Sequence, residues 1–257
     1  MKIHTYIPLL ATLTLFSPSL HATVVISPSA GFSITWDGND GDNFNAANPA
    51  PVPANLATGA GATPFASSEL GLGIHLTSTL NDGLYGNSNS WIGNDVAGTP
   101  FAGINLGGAF NLTGFAFGRD NGNNVTDPAG GQLIDRSLGL YSVQFTTVTA
   151  PGALTADTGN AITGWATLGT LNYTASVDDV LGGGFTSYFR HEYDISTTGG
   201  GPVTATGIRL IVPGTGISPA GTAIDEIEVF GAAVPEPSTT LMFLGALAGL
   251  AGRRRRC

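Results

Sequence analysis

The sequence predicts an all-β chain folded as an antiparallel β-sandwich, and three observations carry that prediction. Glycine supplies 38 of 257 residues while charged residues make up only 11 %, a composition that favours short strands and turns over long surface helices. Several short stretches alternate strictly between apolar and polar residues, as half-buried antiparallel strands do. Between the two ends of the chain no long segment shows a 3.6-residue apolar period, and no unit repeats every 20–50 residues, which argues against helical bundles, solenoids and propellers.

The elements follow in chain order. The start, MKIHTYIPLLATLTLFSPSLHA, places Lys2 ahead of an apolar run from Ile7 to Phe16 and a small-residue site at Ala22. This is the layout of a secretory signal peptide, so residues 1–22 are expected to be removed. Residues 23–53 hold one or two strands, an acidic turn (DGNDGDN) and a connector with Pro49, Pro51 and Pro53. Two strands alone are marginal, so this segment is not expected to fold by itself. The main domain is expected over 54–231. Within it NLTGFAFG places Phe115 and Phe117 on one face, and LYSVQFTTV does the same for Tyr141, Val143 and Phe145. YFRHEYDI alternates Phe189, His191, Tyr193 and Ile195 against Tyr188, Arg190, Glu192 and Asp194. TGIRLIVPG aligns Ile208, Leu210 and Val212, and AIDEIEVFG sets Ile227 and Val229 opposite Glu226 and Glu228.

The last segment, 232–257, is different. Pro235-Glu236-Pro237 precedes an apolar run from Thr239 to Gly252, and Arg253, Arg254, Arg255 and Arg256 follow. Those 14 residues would span about 21 Å as a helix, short of the ~30 Å hydrocarbon core. The arginines would hold it from the cytoplasmic side of an inner membrane. A short span with a basic stop suits a temporary anchor. The segment resembles the PEP-CTERM sorting signal of Gram-negative bacteria, with its three elements in order at the C-terminus. The resemblance implies an exosortase-like processing enzyme as partner, cleavage at the motif, and delivery to the cell surface or an exopolysaccharide matrix.

Charge narrows the partners. Without the two ends, Arg119, Arg136, Arg190 and Arg209 face seventeen acids, a balance of −13. Such a body repels nucleic-acid phosphates and has the charge to hold cations. The one cysteine, Cys257, rules out an intrachain disulfide.

From Ala54 to Gly231 the order of motifs resembles the discoidin, or coagulation factor V/VIII C-type, domain. NLATGAGATPFASSELG opens it and LNDGLYGNSNSWIG follows. FAGINLGGAFNLTGFAFGRDN, YSVQFTT, WATLG, YFRHEYDI and TGIRLIV come next, and IDEIEVFG closes it. The resemblance implies a galactose-binding-like jelly roll and, as in bacterial members, a structural Ca²⁺ beneath the ligand loops. The matching positions are Asp82, Asn87, Ser90 and Glu226. A hydrogen-bonded turn at Asp82 and a solvated Glu226 are the alternative. The acidic turn with Asp37, Asp40 and Asp42 lacks the bidentate Glu of an EF-hand, Asn48 standing there instead, and reads as a polar hairpin tip.

For a sugar ligand, Arg119, Asp120 and Asn121 after one strand and Asp135-Arg136 before the next form an Arg/Asp/Asn set suited to hydroxyl groups. An Arg–Asp pair tying two loops together is the alternative. Trp91, Trp165 and His191 read as core. Outside the signal peptide only His75 and His191 remain as histidines, and no nucleophile, zinc-protease or phosphate-loop motif occurs. The expectation is therefore a non-enzymatic, surface-sorted module that binds a carbohydrate or exopolysaccharide. The alternatives are a structural matrix protein without a small ligand and, less well supported, a glycan-active enzyme.

Overall fold

The computed structural model describes residues 24–36, 55–70, 73, 75–83, 90–93, 100–118, 139–151, 164–173, 190–213 and 222–235. Among these the strands are β1 (Val24–Pro28), β2 (Phe32–Trp36), β3 (Thr63–Ala66), β4 (Trp91–Ile92), β5 (Phe101–Gly118) and β6 (Gly139–Thr146). They continue with β7 (Trp165–Tyr173), β8 (Arg190–Thr197), β9 (Val203–Ile211), β10 (Ala223–Ile224) and β11 (Ile227–Ala233). Two 3-10 turns, Leu56–Thr58 and Thr77–Asn81, complete the described elements. Every ladder is antiparallel.

The 18-residue β5 is the hinge of the architecture. Its first part, from Phe101 to Asn105, lies between β9 and β3. Phe110 to Leu112 lie between β9 and β11, and the last part, from Gly114 to Gly118, lies between β11 and β8. The pairing with β9 shifts between Asn105 and Phe110, where Gly107 adopts φ +74° and passes so close to Gly61 that a Cβ would stand 2.5 Å from its carbonyl oxygen. Only glycine accepts both the positive φ and that approach. β5 thus bends from one layer into the other. The first layer runs β1-β7-β6-β9-β5-β3, and the second runs β11-β5-β8-β2.

Aromatic rings fill the space between the layers. Phe115 and Phe117 of β5 and Tyr193 of β8 come from one side, and Tyr141 of β6 and Tyr173 of β7 from the other. Phe117 meets Tyr141 at 5.6 Å and Tyr173 at 6.1 Å between ring centres. Phe115, Phe117, Tyr141, Tyr193 and Trp91 are fully buried. Truncating one such ring to alanine costs about 3–5 kcal/mol. The alternation seen in the sequence for β5, β6, β8, β9 and β11 is the alternation of this core.

The stretch ahead of the Pro-rich connector joins the same sheets. β1 pairs with β7 and β2 with β8, so each contributes an edge strand to one layer. Gly169 leaves the space that the Ile34 side chain of β2 enters, and Phe32 packs edge-on to Phe145 at 5.2 Å. Among the described residues the sheets therefore include β1 and β2, which lie ahead of Ala54.

Ladder directions give the second layer two distinct ends. Gly118 (the end of β5), Arg190 (the start of β8), Ile227 (the start of β11) and Trp36 (the end of β2) lie at one, here the loop end. Ala233 lies at the other, the base, where the Val234 N–H donates to the Ala109 carbonyl at 3.2 Å. Pro235 follows at once. Among the described residues no helix is long and apolar enough to cross a membrane, and the run Thr239–Gly252 lies outside them.

Candidate functional site

At the loop end, Asp225 and Glu226 lead into β11. The Gly118 N–H donates to the Glu226 carbonyl at 3.0 Å, and the Asp225 N–H donates to the Gly118 carbonyl at 3.0 Å. Strand alternation puts Glu226 and Glu228 on the face away from Ile227 and Val229, which would ordinarily be solvated. Here that face is covered. The two 3-10 turns pack against β11, and Asn55 Oδ1 accepts from both the Ala57 and Val229 N–H groups at 3.0 and 3.1 Å. As a result Asp225, Glu226 and Glu228 are buried, and Glu226 is wholly inaccessible.

Glu226 is the unusual member. Its Oε2 accepts from the Gly83 N–H at 3.2 Å. Its Oε1 is buried and has no hydrogen-bond partner among the described residues. Burial, then the negative charges of Asp82, Asp225 and Glu228, push its carboxyl up to about 10, against the smaller opposing effect of the Gly83 N–H. An ionised carboxylate in such a place costs several kcal/mol unless a cation or hydrogen bonds compensate. The group must hold a proton or a bound cation.

Of the four expected metal ligands, Asp82, Ser90 and Glu226 lie among the described residues and are brought to this end of the sandwich. The Gly83 bond carries the Asp82-Gly83 turn to Glu226. The β4–β10 ladder pairs Trp91 with Ile224, which brings Ser90 beside Asp225. Ser90 is buried, and its carbonyl accepts from His75 Nδ1 at 2.8 Å. Asn87 lies outside the described residues. Among the described residues no three acidic, histidine or cysteine side chains converge tightly enough to bind a metal by themselves. A site here would draw further on carbonyl and amide oxygens, which calcium accepts. The candidate donors are all oxygens, and Glu226 Oε1 is buried with no hydrogen-bond partner among the described residues. The residues present therefore fit Ca²⁺ in kind.

The expected sugar-binding set, Arg119, Asp120, Asn121, Asp135 and Arg136, lies outside the described residues, as do Asp37, Asp40 and Asp42. The chain enters Arg119 directly from Gly118, so that segment departs from the loop end. Of the sorting motif, Pro235 is exposed at the base, and Glu236, Pro237 and Arg253 to Arg256 lie outside the described residues.

The residues read as core are placed as follows. Trp91 is fully buried and its Nε1–H donates to the Ser68 carbonyl at 2.8 Å. Trp165 is half-buried with the Arg209 guanidinium 4.4 Å from its ring centre. His191 is buried, with Nδ1 3.3 Å from the Tyr193 hydroxyl. Asp225 and Glu228 were not among the expected site residues. Their signal was the density of acids at 225, 226 and 228 beside a closing strand.

Among the described residues every regular element is a strand or a 3-10 turn, and the C-terminus carries a sorting signal. Residues 233–256 match the PEP-CTERM protein-sorting motif, which indicates export and sorting to the surface or beyond. No curated protein matches the chain. Among solved structures the chain is similar to chitosan-binding module 1 of a chitosanase/glucanase from Paenibacillus sp. IK-5. The identity is 22 % over 69 % of this chain and 98 % of that one, with a TM-score of 0.42. It is also similar to CpGH89CBM32-5 from Clostridium perfringens, in complex with GalNAc-β-1,3-galactose, at 17 % identity. That match covers 69 % of this chain and 100 % of that one, with a TM-score of 0.43. An F5/8 type C domain from Bacteroides fragilis matches at 12 % identity over 67 % of this chain and 93 % of that one, with a TM-score of 0.40. The sandwich itself is defined by the strand ladders above.

Proposed function

We propose that this protein is an exported, non-enzymatic binding module whose loop end, stapled by a calcium ion, engages carbohydrate outside the cell. The observation that carries the reading is the buried Glu226 carboxylate. Its Oε1, without a hydrogen-bond partner among the described residues, sits among like charges at the loop end, where Gly118 leads into Arg119. Glu226 and Asp82 would hold the ion, with Ser90 and Asn87 contributing oxygens. The ion would neutralise the acids and tie the 82–83 turn to the start of β11. This role is structural: it fixes loops rather than activating a substrate.

Polarity supports presentation to the outside. β11 runs seven residues from the loop end to the base, about 23 Å. The Pro-Glu-Pro motif follows after the single residue Val234. While an inner-membrane tail holds the base, the loop end faces away from the membrane. An exosortase-like enzyme cutting at the motif would then release the module to the surface or to an exopolysaccharide matrix. The carbohydrate ligand is supported by the ordered motifs from Ala54 to Gly231.

The test is a glycan-array screen of the exported protein recovered from producing cells, with calcium and with chelator, including the host's own exopolysaccharide. Saturable, calcium-dependent binding is expected. Calcium-dependent melting without any glycan binding would instead favour a structural matrix protein.

A further inference from the structure

We infer that Trp36, stacked on His191 at the loop end, is the platform on which a neutral or amino-sugar pyranose ring lies. This inference rests on the carbohydrate reading above and assigns it a surface.

Trp36 ends β2 opposite Tyr193 of β8. Counting from Ile34, it falls on the inward-facing side of its strand, yet it lies at the rim, where the two layers open. It is 48 % exposed, whereas Trp91 is fully buried and Trp165 half-buried under Arg209. The indole and the His191 ring are nearly parallel, 28° between planes and 6.5 Å between centres. His191 thus backs one side of the indole while about half of the side chain meets solvent.

The backing is firmly held. His191 meets Tyr173 edge-on at 5.2 Å. Its Nδ1 lies 3.3 Å from the Tyr193 hydroxyl, which in turn shares a 2.5 Å hydrogen bond with the Tyr173 hydroxyl. A large planar apolar group supported by a buried polar network loses little freedom when a ligand covers it. In a soluble sandwich an exposed indole gains by covering, and a pyranose offers a flat C–H face of matching size.

Location agrees with the proposed calcium site. Across the sheet Trp36, Tyr193, Phe115 and Val229 form one row. Trp36 therefore lies about 15 Å, three strand spacings, from β11. The platform and the acid cluster share one end without sharing atoms. The chain's charge selects among sugars. A balance of −13 outside the two ends, with Asp194 paired to Thr35 beside the platform, disfavours uronic acids and sulfated glycans.

The experiment titrates the exported protein by calorimetry with cello-, chito- and β-galacto-oligosaccharides and with an oligouronate. Wild type, Trp36→Ala and Trp36→Phe are compared, each checked for an unchanged melting temperature. Trp36→Ala is expected to weaken binding of a neutral or amino sugar roughly tenfold or more, and Trp36→Phe roughly threefold. The same sugar should shield wild-type tryptophan fluorescence from acrylamide and should not do so in Trp36→Phe. Sugar binding that survives Trp36→Ala intact would overturn the platform and leave the binding module standing. Preference for the oligouronate would overturn the ligand class. Binding of none of these probes would overturn the platform, and silence on the wider glycan array as well would take the carbohydrate reading with it.

Discussion

Two buried charges, Arg209 and Glu226, are treated in opposite ways. Arg209 lies on the outer side of the first layer and is 3 % exposed. Its Nε–H donates to Gln144 Oε1 at 2.9 Å, and its guanidinium lies 4.4 Å from the Trp165 ring and 5.0 Å from that of Phe101. The protein supplies the Nε–H of this cation with an acceptor and its guanidinium plane with two π faces. Glu226 is equally deep, but its carboxylate faces three further acids and a single backbone N–H. A buried cation held by an acceptor and two rings belongs to the scaffold. A buried carboxylate whose neighbours repel it marks a place completed from outside, by a proton or a metal ion.

The comparison can be broken in several ways. The largest effect is expected from Arg209→Ala, which removes the ring contacts and the hydrogen bond and leaves Gln144 Oε1 without that donor. A loss of about 3 kcal/mol is expected, or roughly 6–12 °C in melting temperature for a domain of this size. Arg209→Met, which keeps the aliphatic packing, should lose about half as much. Equal losses would mean that packing contributes little there. Next, chelation of a calcium-loaded sample should lower the melting temperature by roughly 5–10 °C, as expected for an ion held at about 100 times its Kd. Glu226→Gln should abolish that response.

The third test uses pH. In the metal-free fold the Glu226 carboxyl is raised from 4.5 to about 10, so between those values the native state holds a proton that the unfolded chain has released. Metal-free stability should therefore fall as pH rises through that window, by up to about 1.4 kcal/mol per pH unit from this group. The cost is absent below the unfolded value. Denaturant melts of chelated wild type and Glu226→Gln should converge near pH 4.5 and separate as pH rises, with the variant the more stable. Parallel curves would mean that the carboxyl is not held in its protonated form.

The smallest effect belongs to Glu69, an exposed carboxylate whose hydrogen bonds with Thr77 lower its pKa. Its contribution has the opposite sign, present above the unfolded value and lost as pH falls through the folded one. Solvent screening keeps Glu69→Gln to about 0.5 kcal/mol or less.

The core strands were legible because alternation is imposed by burial on one face. Phe115, Phe117, Tyr141, Val143, Ile227 and Val229 all point inward, as their spacing requires. The length of β5 was not legible. Nothing in FAGINLGGAFNLTGFAFG distinguishes one strand from two, and here a single strand runs through Gly107 with a shift in its pairing to β9. The role of β1 and β2 was hidden as well, since strands that complete sheet edges find their partners some 140–160 residues along the chain. That also hid Trp36, which lies ahead of the region the motifs cover. At the acid cluster, a solvated Glu226 stood as the alternative to a calcium ligand. The covering turns of residues 55–83 bury it, and nothing local to AIDEIEVFG announces them.

The most direct test of the central claim is calorimetric titration of the protein with Ca²⁺ at pH 7 in buffers of different ionisation enthalpy, for wild type and Glu226→Gln. The account predicts saturable binding by wild type with release of about one proton per ion, and loss of both binding and proton release in the variant. Calcium binding that survives Glu226→Gln, or no calcium binding by wild type, would contradict it.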